Sequence, residues 1–339
     1  MIFIRVDINE YIATGHMMRC MAIASQACRL GIKTIFITAD GAGDELLDKA
    51  GYEHISLNTA WNDMESETDK LLALIKEKKI KKLIIDSYQV TETYLNRIKD
   101  YTEVIYIDDL NMFRYPVNCL ICYAPYYNKF GYIDLYRDSG TRLLLGTKYM
   151  PLRENFLALP AKKIKEKPEE LILLSGGGDQ SELIIKILRN IDFSNFNTLN
   201  IICGNYCTNI EKIHTVVYDV INQVKGCEIN ILSNVSNIER YMMSADIAIS
   251  AGGTTLYELS ACGTPTIAYI ASENQRDNVT YLDKESIIKS AGDINDKEFI
   301  NNLNCLLDQI TDHEIRTLQS SAMKRLVDGK GCQRILEDI

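Results

Sequence analysis

The sequence predicts an α/β protein made of two doubly wound domains, and three observations support this prediction. First, its 339 residues are about twice the length of a typical domain. Second, 46% of the residues are apolar and 24% are charged, which is the composition of an ordinary globular protein. Third, short apolar runs alternate with amphipathic helical segments, a pattern typical of parallel sheets covered by helices.

In the first half, short runs rich in aliphatic and β-branched residues predict buried strands. They are Ile2–Val6, Thr34–Thr38, His54–Leu57, Leu83–Asp86, Val104–Ile107 and Leu120–Cys122. Between these runs the apolar residues recur about every third or fourth position, which indicates helices. The predicted helices are Met17–Leu30, Asp44–Ala50, Glu65–Lys79 and Thr91–Lys99.

The second half repeats the same alternation of strands and helices. Its predicted strands are Leu171–Leu174, Leu199–Cys203, Glu228–Leu232, Ile247–Ser250 and Thr266–Tyr269. Its predicted helices are Gln180–Arg189, Asn209–Val224, Asn237–Met243, Thr255–Ala261 and Arg276–Leu282. From about Asp296 onwards, the periodicity predicts two or three further helices at the end of the chain.

A charged segment separates the two halves. Leu159–Glu170 contains two prolines and few large apolar residues, so we expect an exposed linker. The predicted domains are therefore residues 1–158 and residues 159–339, each Rossmann-like, with the C-terminal helices in the second domain. Two such domains are expected to face a central cleft, because α/β folds bind ligands at the carboxyl ends of their strands.

Charge and hydropathy limit the partners of this protein. A formal charge of −9 argues against nucleic acid, which requires a basic surface. Stable membrane insertion is not expected, because no apolar run approaches the roughly 20 residues of a spanning helix. Arg5 and Asp7 interrupt the first apolar run too early for a signal peptide, so we expect a cytoplasmic protein with reduced cysteines. These features leave the oligomeric state open.

Motifs for metals and for common cofactors are missing from the sequence. Cys119-x-x-Cys122 resembles half of a zinc site, but no second pair follows at a suitable spacing. The sequence has no P-loop lysine motif, and Gly-x-Gly-x-x-Gly does not follow the first strand, which disfavours ATP hydrolysis and NAD chemistry. We therefore expect neither a metal nor a cofactor.

The first candidate site is the turn after the first strand. The small residues Ala13, Thr14 and Gly15 allow the backbone to turn sharply and to approach a ligand closely. His16 then lies in the first turn of the predicted helix, where the helix dipole favours the neutral imidazole that acts as a general base. The alternative is a histidine that only caps or packs the start of the helix.

The second candidate site is the turn after the predicted strand Ile247–Ser250. Its sequence is Ser250-Ala-Gly252-Gly253-Thr254-Thr255. Free N–H groups at the start of the following helix can bind a phosphate, and Glu258, one turn later, can reach a ribose diol. The alternative is an ordinary strand-to-helix turn that is capped by a threonine.

Three consecutive glycines form a third candidate site. Gly176-Gly177-Gly178 follows a predicted strand, and Asp179 is the predicted N-cap of the next helix. A turn does not need this many glycines, so the run favours close approach of a ligand or of another part of the chain.

Polar residues follow three other predicted strands. Asp86 and Tyr88 come after one strand, and the segment Asn274-Gln275 comes after the strand that ends at Tyr269. For both, a solvated polar loop is the alternative to a ligand contact. Asp108 and Asp109 could form an acidic pair, or Asp109 could cap the following turn.

At these residues the sequence resembles a known family, the UDP-sugar hydrolases of pseudaminic acid biosynthesis and the related spore-coat polysaccharide proteins. That family is itself similar to MurG-type GT-B glycosyltransferases. The matching stretches follow the family's order and cover nearly the whole chain. They are Ile4-Arg5-Val-Asp7, Gly15-His16-Met-Met-Arg19, Ile85-Asp86-Ser-Tyr88, Leu145-Gly-Thr-Lys-Tyr149, Gly176-Gly177-Gly178-Asp179, Ser250-x-Gly252-Gly253-x-x-x-Tyr-Glu258 and Asn274-Gln275.

The resemblance implies a GT-B fold and the metal-independent hydrolysis of a UDP-linked 2,4-diacetamido-2,4,6-trideoxy sugar to UDP and free sugar. It implies that His16 is the general base for water, and that Tyr88 orients that water or the histidine. The substrate-binding residues that it implies are Gly15, Arg19, Asp86, Gly176, Gly177, Ser250, Gly252, Gly253, Thr254, Glu258, Asn274 and Gln275. The UDP would lie on the second domain.

The sequence also departs from the family's pattern. Ala13 stands where the family more often has glycine, and extra residues lie around Tyr123–Ser139 and beyond Asp296. These additions leave the substrate open. Two other functions therefore remain, a GT-B glycosyltransferase for surface or spore-coat polysaccharide and a non-catalytic nucleotide-sugar binding protein. The presence of His16 and Tyr88 argues against the second of these.

Overall fold

The computed structural model describes residues 1–204, 206–223, 226–233 and 235–339. Contacts divide the chain into two compact units, one formed by residues 1–154 together with 329–339 and the other by residues 155–328. Each unit contains one parallel sheet flanked by helices. The predicted fold class, α/β with two doubly wound domains, is confirmed.

The first unit is built on a seven-stranded parallel sheet. Its strands are β1 (Ile2–Val6), β2 (Thr34–Thr38), β3 (Glu53–Ser56), β4 (Lys82–Asp86), β5 (Glu103–Ile107), β6 (Cys119–Cys122) and β7 (Arg142–Leu145). Its helices up to this point are α1 (Gly15–Arg29), α2 (Asp44–Lys49), α3 (Met64–Lys78), α4 (Glu92–Ile98) and α5 (Tyr132–Leu135). The strand order is β3-β2-β1-β4-β5-β6-β7. The direction in which successive strands are added to the sheet therefore reverses between β1 and β4. Ligands of doubly wound sheets bind at such a switch point.

Burial explains why β1 contains a long apolar run. All of its residues are buried, because helices cover both faces of a parallel sheet. The one charged residue in the strand, Arg5, is fully buried and donates to both carboxylate oxygens of Glu67 at 2.8 and 2.6 Å. It also donates to Asp7 at 2.6 Å, and Tyr94 donates to Glu67 at 2.8 Å. Burial by itself lowers the pKa of Arg5, but the charges of Asp7 and Glu67 raise it overall.

The second unit is built on a six-stranded parallel sheet. Its strands are β8 (Glu170–Leu174), β9 (Thr198–Cys203), β10 (Glu228–Ser233), β11 (Ile247–Ala251), β12 (Thr266–Ile270) and β13 (Lys289–Asp293). Its helices are α6 (Ser181–Asn190), α7 (Ile210–Gln223), α8 (Ile238–Ser244), α9 (Thr255–Cys262), α10 (Arg276–Lys284), α11 (Phe299–Ile310) and α12 (His313–Leu326). The strand order is β10-β9-β8-β11-β12-β13, and the switch point lies between β8 and β11.

Two of the described strands were not predicted from the sequence, and each lies at the edge of a sheet. β7 pairs only with β6, and β13 pairs only with β12. The sequence of β13, Lys-Ser-Ala-Gly-Asp, lacks the apolar run that marks a buried strand. The helix predicted over Asn209–Val224 corresponds to α7, and Val224 itself lies outside the described residues.

The predicted exposed linker is in fact attached to the second unit. The ammonium group of Lys162 donates to the carbonyl oxygens of Met242 and Met243, at the end of α8, at 3.3 and 2.5 Å. Buried Arg316 donates to the carbonyl oxygens of Lys165 and Glu166 at 2.8 and 2.9 Å. Sequence composition identified a boundary between domains, but these long side chains hold the segment against the domain that follows it.

The end of the chain also departs from the predicted domains. We expected residue 159 onwards to form the second domain, but α13 (Gly331–Asp338) belongs to the first unit. It packs against α1, and its Asp338 accepts a hydrogen bond from Tyr149 at 2.8 Å. The helical periodicity of this segment is correct, but periodicity does not say which sheet a helix returns to.

Within the described residues, none of the helices is both long enough and apolar enough to cross a bilayer. In that part of the chain, no three His, Cys, Asp or Glu side chains come together as a metal-binding group.

The return of α13 gives a testable prediction about Gly331. A side chain there would place its Cβ 2.0 Å from the carbonyl oxygen of Met150, a backbone atom that cannot move freely. Gly331→Ala should therefore lower the free energy of unfolding by at least about 2 kcal/mol, although alanine favours a helix by about 1 kcal/mol. Gly178→Ala is the control, because nothing lies within 4 Å of its Cβ position. Equal stability of the two variants in urea unfolding would contradict the close contact.

Candidate functional site

His16 lies on the second residue of α1, directly after the turn that follows β1. The turn is held by Asn9, whose side-chain oxygen accepts from the backbone N–H groups of Tyr11 and Ile12 at 2.9 and 3.0 Å. Ala13 closes the turn with a φ of 57°, in the left-handed region that favours glycine. This local geometry places the imidazole at the carboxyl end of β1.

The end of β4 supplies the partner of His16. Nδ1 of His16 lies 2.6 Å from Oδ1 of Asp86, and both side chains are buried. β1 and β4 are neighbours at the switch point of the sheet, so residues 70 positions apart in sequence meet there. The carboxylate thereby fixes the orientation of the imidazole ring.

Arg19 binds the same carboxylate as His16. Arg19, one turn along α1 from His16, donates to the two oxygens of Asp86 from Nε and Nη2 at 2.5 Å each. Burial by itself raises the pKa of Asp86, but Arg19 and His16 lower it well below its ordinary value. Asp86 is therefore an ionised acceptor that lies beneath the histidine.

The short distance to Asp86 determines which nitrogen of His16 carries the proton. Two acceptors cannot lie 2.6 Å apart without a hydrogen between them, so Nδ1 donates to Asp86. The contact between Nδ1 and Nη2 of Arg19, at 3.1 Å, is then a packing contact, because an arginine can only donate. When the ring carries a single proton, Nε2 is the proton acceptor, which is the tautomer that a general base requires.

Tyrosine side chains complete the surroundings of His16 and Arg19. The ring of Tyr88 lies edge-on to the imidazole, with centroids 4.5 Å apart. Burial and the nearby charge of Asp109 raise the pKa of Tyr88 well above its ordinary value, so its hydroxyl stays protonated. The remaining donor of Arg19, Nη1, bonds to the Tyr123 hydroxyl and lies 3.3 Å from Asp109.

These groups line a small pocket in the first unit that is partly open to solvent. The lining residues are Asp7, Ile12, His16, Trp61, Asp86, Ser87, Tyr88 and Gln89. The sequence analysis identified the histidine, the tyrosine and the aspartate of this pocket. It did not identify Trp61, which comes from the loop after β3 and has no motif around it.

The structure changes the interpretation of Arg19 and Asp86. The resemblance implied that both bind the substrate, but both are buried and bonded to each other. Their contacts support a role in holding His16. Asp108, and not Asp109, caps the following turn, because Asp108 accepts from the N–H groups of Leu110 and Asn111 at 3.1 and 3.2 Å.

In the second unit, a candidate binding loop follows β11, at the switch point of that sheet. The turn after β11 begins with Gly252, whose N–H donates to the carbonyl oxygen of Tyr269 at 2.9 Å. Oε1 of Gln275 accepts from Gly252 and from Ala271, at 3.2 and 3.0 Å. Nδ2 of Asn278 donates to the carbonyl oxygen of Gly252 at 2.9 Å. The predicted binding residue Gln275 therefore connects the loop after β11 with the loop after β12. Asn278 was not predicted from the sequence.

Gly253 and the start of α9 remain open beside this rigid turn. The nearest atom to a Cβ at Gly253 would be Nε2 of Gln275, 3.9 Å away, whereas one at Gly252 would lie 2.2 Å from Val279. Within the described residues, the backbone N–H groups of Gly253, Thr254 and Thr255 have no acceptor. Three donors at the start of a helix can bind an anion.

The glycine run after β8 lies on the other side of the same switch point. Gly176 has a φ of 81°, and its Cβ position lies 3.5 Å from Ala251 at the end of β11. Gly204, after β9, has no space for a side chain, because its Cβ would lie 2.2 Å from the carbonyl oxygen of Gly176. Close contact between backbones explains these glycines. The N-cap position of α6 is Gln180, and Asp179, predicted for that role, instead accepts from the N–H of Ser181 at 3.0 Å.

The other predicted residues of the second unit occupy different positions. Ser250 is fully buried and donates to the carbonyl oxygen of Ala251, so its hydroxyl is not directed to a ligand. Glu258 is partly buried on α9, one turn after Thr254. Asn274 is exposed and accepts a hydrogen bond from Ser272 at 2.6 Å. Gly177 is partly exposed within the glycine run.

Comparison with protein families matches residues 160–331 to the glycosyltransferase family 28 C-terminal domain. Two relatives are 24% identical in sequence to the chain. An uncharacterized protein of Methanocaldococcus jannaschii aligns over 81% of the chain and 57% of its own length. The spore coat polysaccharide biosynthesis protein SpsG of Bacillus subtilis aligns over 79% of the chain and 80% of its own length. The chain thus spans little more than half of the first relative.

Solved structures resemble the chain over its whole length. MurG of Acinetobacter baumannii has a TM-score of 0.72 at 14% identity, and the match covers 100% of this chain and 98% of that one. A ugt transferase from Siraitia grosvenorii in complex with UDP has a TM-score of 0.66 at 9% identity, covering 99% and 98%. UDP-GlcNAc 2-epimerase from Neisseria meningitidis, bound to UDP-GlcNAc, has a TM-score of 0.62 at 12% identity, covering 100% and 99%. These likenesses confirm the predicted GT-B type of fold.

The buried pair beneath His16 gives a prediction about stability. Asp86→Asn should lower the free energy of unfolding by about 3–5 kcal/mol, because Arg19 keeps a buried charge and loses its carboxylate partner. Adding Arg19→Met should recover part of this loss, since no unpaired charge remains. The exposed Asp100→Asn is the control and should change stability by less than about 0.5 kcal/mol. A loss below about 1 kcal/mol for Asp86→Asn in chemical denaturation would refute the buried-pair interpretation.

Proposed function

Because this chain belongs to the family defined by the glycosyltransferase family 28 C-terminal domain, we propose that it is an enzyme acting on a nucleotide-activated sugar. More specifically, we propose that it hydrolyses a UDP-linked 2,4-diacetamido-2,4,6-trideoxy sugar to UDP and free sugar without a metal or cofactor. The place of the reaction would be nonulosonic (pseudaminic) acid biosynthesis. The name of the Bacillus subtilis relative supports a role in making surface polysaccharide.

The observation that carries this proposal is the hydrogen bond between His16 and Asp86. With Nδ1 donating to a buried carboxylate at 2.6 Å, Nε2 is the nitrogen able to take a proton. The imidazole also lines the pocket of the first unit, where a small molecule can reach it. A histidine that only packed the helix start would need neither the pocket nor the oriented ring.

The proposed reaction is a displacement at the anomeric carbon. His16 accepts a proton from water through Nε2, and the water oxygen forms a bond to that carbon. The bond from the carbon to the phosphate oxygen breaks, and UDP leaves with the electron pair. The Tyr88 hydroxyl, which stays protonated, would orient the water, and the ring of Tyr88 contacts the imidazole. Asp86 stabilises the imidazolium that forms, as the carboxylate of a catalytic triad does.

The second unit would bind the nucleotide. The three N–H groups of Gly253, Thr254 and Thr255 have no acceptor in the described parts of the chain, and they start a helix. They would donate to the diphosphate and stabilise the negative charge that develops as UDP leaves. Glu258 would bind the ribose.

Arg19 and Asp86 act as positioning residues in this proposal. Asp86 selects the tautomer of His16, and Arg19 keeps Asp86 ionised. Neither needs to touch the substrate. Gly15 precedes His16 without a side chain of its own, so the backbone there can lie close to a ligand.

A glycosyltransferase is the second candidate function. The family match and the likeness to MurG favour it, since the same base could deprotonate an acceptor hydroxyl in place of water. The two candidates share the nucleotide site and the base. They differ in the nucleophile, so the identity of the nucleophile decides between them.

The role of His16 predicts a selective loss of turnover. His16→Asn should keep its affinity for the UDP-sugar and lower kcat by roughly 10²–10⁴, the usual effect of losing a general base. His54→Asn, which removes a partly buried histidine from β3, should leave kcat unchanged. UDP release is measured in the presence of EDTA. Equal kcat for His16→Asn and wild type would rule out this base.

Reaction in ¹⁸O-labelled water identifies the nucleophile in the same assay. Hydrolysis at carbon predicts label in the released sugar and none in UDP. Label in UDP would mean attack at phosphorus. UDP release that depends on an added alcohol acceptor would identify a glycosyltransferase and overturn the hydrolase.

The nucleotide site predicts a loss of binding at Gly253. Gly253→Val should abolish UDP binding while the protein stays folded, because its side chain would extend into open space beside the helix start. Gly252→Ala should instead lower the melting temperature, since its Cβ would meet Val279 at 2.2 Å. Calorimetry measures UDP affinity for both. Unchanged affinity in a folded Gly253→Val variant would contradict the assignment.

A further inference from the structure

An aromatic wall in the pocket of the first unit has no role in the reaction described so far. Trp61, the single tryptophan of the sequence, lines the pocket together with His16. Its ring stacks on that of Tyr11, with centroids 6.0 Å apart and planes 13° apart. Tyr11 is 77% exposed, although burial of its ring would be favourable. Stacked, accessible aromatic rings beside a catalytic pocket are suited to contact a ligand.

The backbone on both sides of the pair is held in place. Thr59 donates to the carbonyl oxygen of Ala39 at 2.9 Å, and Asp63 closes a turn by donating to that of Ala60 at 3.2 Å. The side chain of Asp63 also accepts from the N–H of Ser66 at 3.2 Å, which starts α3. On the side of Tyr11, Asn9 holds the backbone in the turn before α1. Little freedom is therefore lost when a ligand binds to the rings.

The pocket lining combines apolar and polar side chains. Ile12 and Trp61 supply apolar surface, while His16, Ser87 and Gln89 supply hydrogen-bonding groups. A pyranose ring combines the same two kinds of surface, since its faces carry C–H groups and its edges carry hydroxyl or amide groups. C–H groups are attracted to the negative face of an aromatic ring, and indole is the largest such face.

We propose that Trp61, supported by Tyr11, binds one face of the pyranose ring of the substrate in the pocket that contains His16. This inference rests on the proposed function, because it assumes that the pyranose is the sugar of a nucleotide sugar. Trp61 then determines affinity for the sugar, and the loop after β11 determines affinity for the nucleotide. The two contributions can be measured separately.

The test compares UDP with UDP-N-acetylglucosamine by calorimetry and by the fluorescence of Trp61. Wild type should bind the sugar nucleotide more tightly than UDP, and only the sugar nucleotide should change the emission. In Trp61→Ala the preference for the sugar nucleotide should fall by about tenfold, while UDP affinity stays the same. Trp61→Phe should keep part of the preference. Tyr101→Ala, which removes a half-exposed tyrosine elsewhere in the first unit, should keep all of it.

The outcomes separate this inference from the proposed function. The same preference in wild type and a folded Trp61→Ala variant, or no preference in wild type, would overturn the aromatic contact. UDP release from the UDP-linked diacetamido sugar, measured separately, would still support the enzyme in that case. Conversely, a preference that depends on Trp61 would support the contact even if the UDP-linked diacetamido sugar released no UDP with or without an acceptor, a result that would overturn the enzyme.

Discussion

The first unit depends on a buried carboxylate at its switch point. Asp86 ends β4 and bonds to His16 and Arg19, both on the helix that follows β1. A buried charge is costly unless it is paired, so the sheet and the helix must meet at this point for the fold to be stable. The same requirement orients the imidazole toward the pocket. Stability and the orientation of the imidazole therefore come from one set of contacts, and Arg19 contributes to both.

The second unit also has a switch point in a parallel sheet, but different groups lie there. There the backbones of Gly176, after β8, and Gly204, after β9, lie against each other, and Gly252, after β11, has no space for a side chain beside Val279. Gln275 and Asn278 bond to Gly252 and make the turn rigid. Rigid N–H donors at a helix start suit an anion, whereas an oriented side chain suits proton transfer. The two units thus offer two different kinds of functional group at equivalent positions of their sheets.

Several residues show what sequence patterns could and could not reveal about the site. His16, Asp86 and Tyr88 follow predicted strands, and the carboxyl ends of parallel strands meet at one edge of a sheet, so their convergence was predictable. Asp109 contacts Arg19 from the end of β5, although the sequence suggested only an acidic pair or a turn cap for it, and Tyr123 contacts Arg19 from the end of β6 without any local motif. Trp61 was missed for the same reason, since a lone aromatic residue in a polar loop has no periodicity. The roles of the predicted residues were harder to predict than their positions, because the sequence does not show that Arg19 and Ser250 are buried.

The sequence by itself determined the α/β class, the two sheets and the loops that carry the candidate residues, because strands and helices leave periods that are local in the chain. The tertiary structure decided which of those residues meet. In the folded chain α13 belongs to the first unit, and the charged segment near Lys162 is bonded to the second. Asp86 lies within hydrogen-bond distance of His16. These outcomes depend on contacts between residues far apart in sequence, where packing and the pairing of buried charges decide the result. No local pattern records such contacts, so only the folded chain shows them.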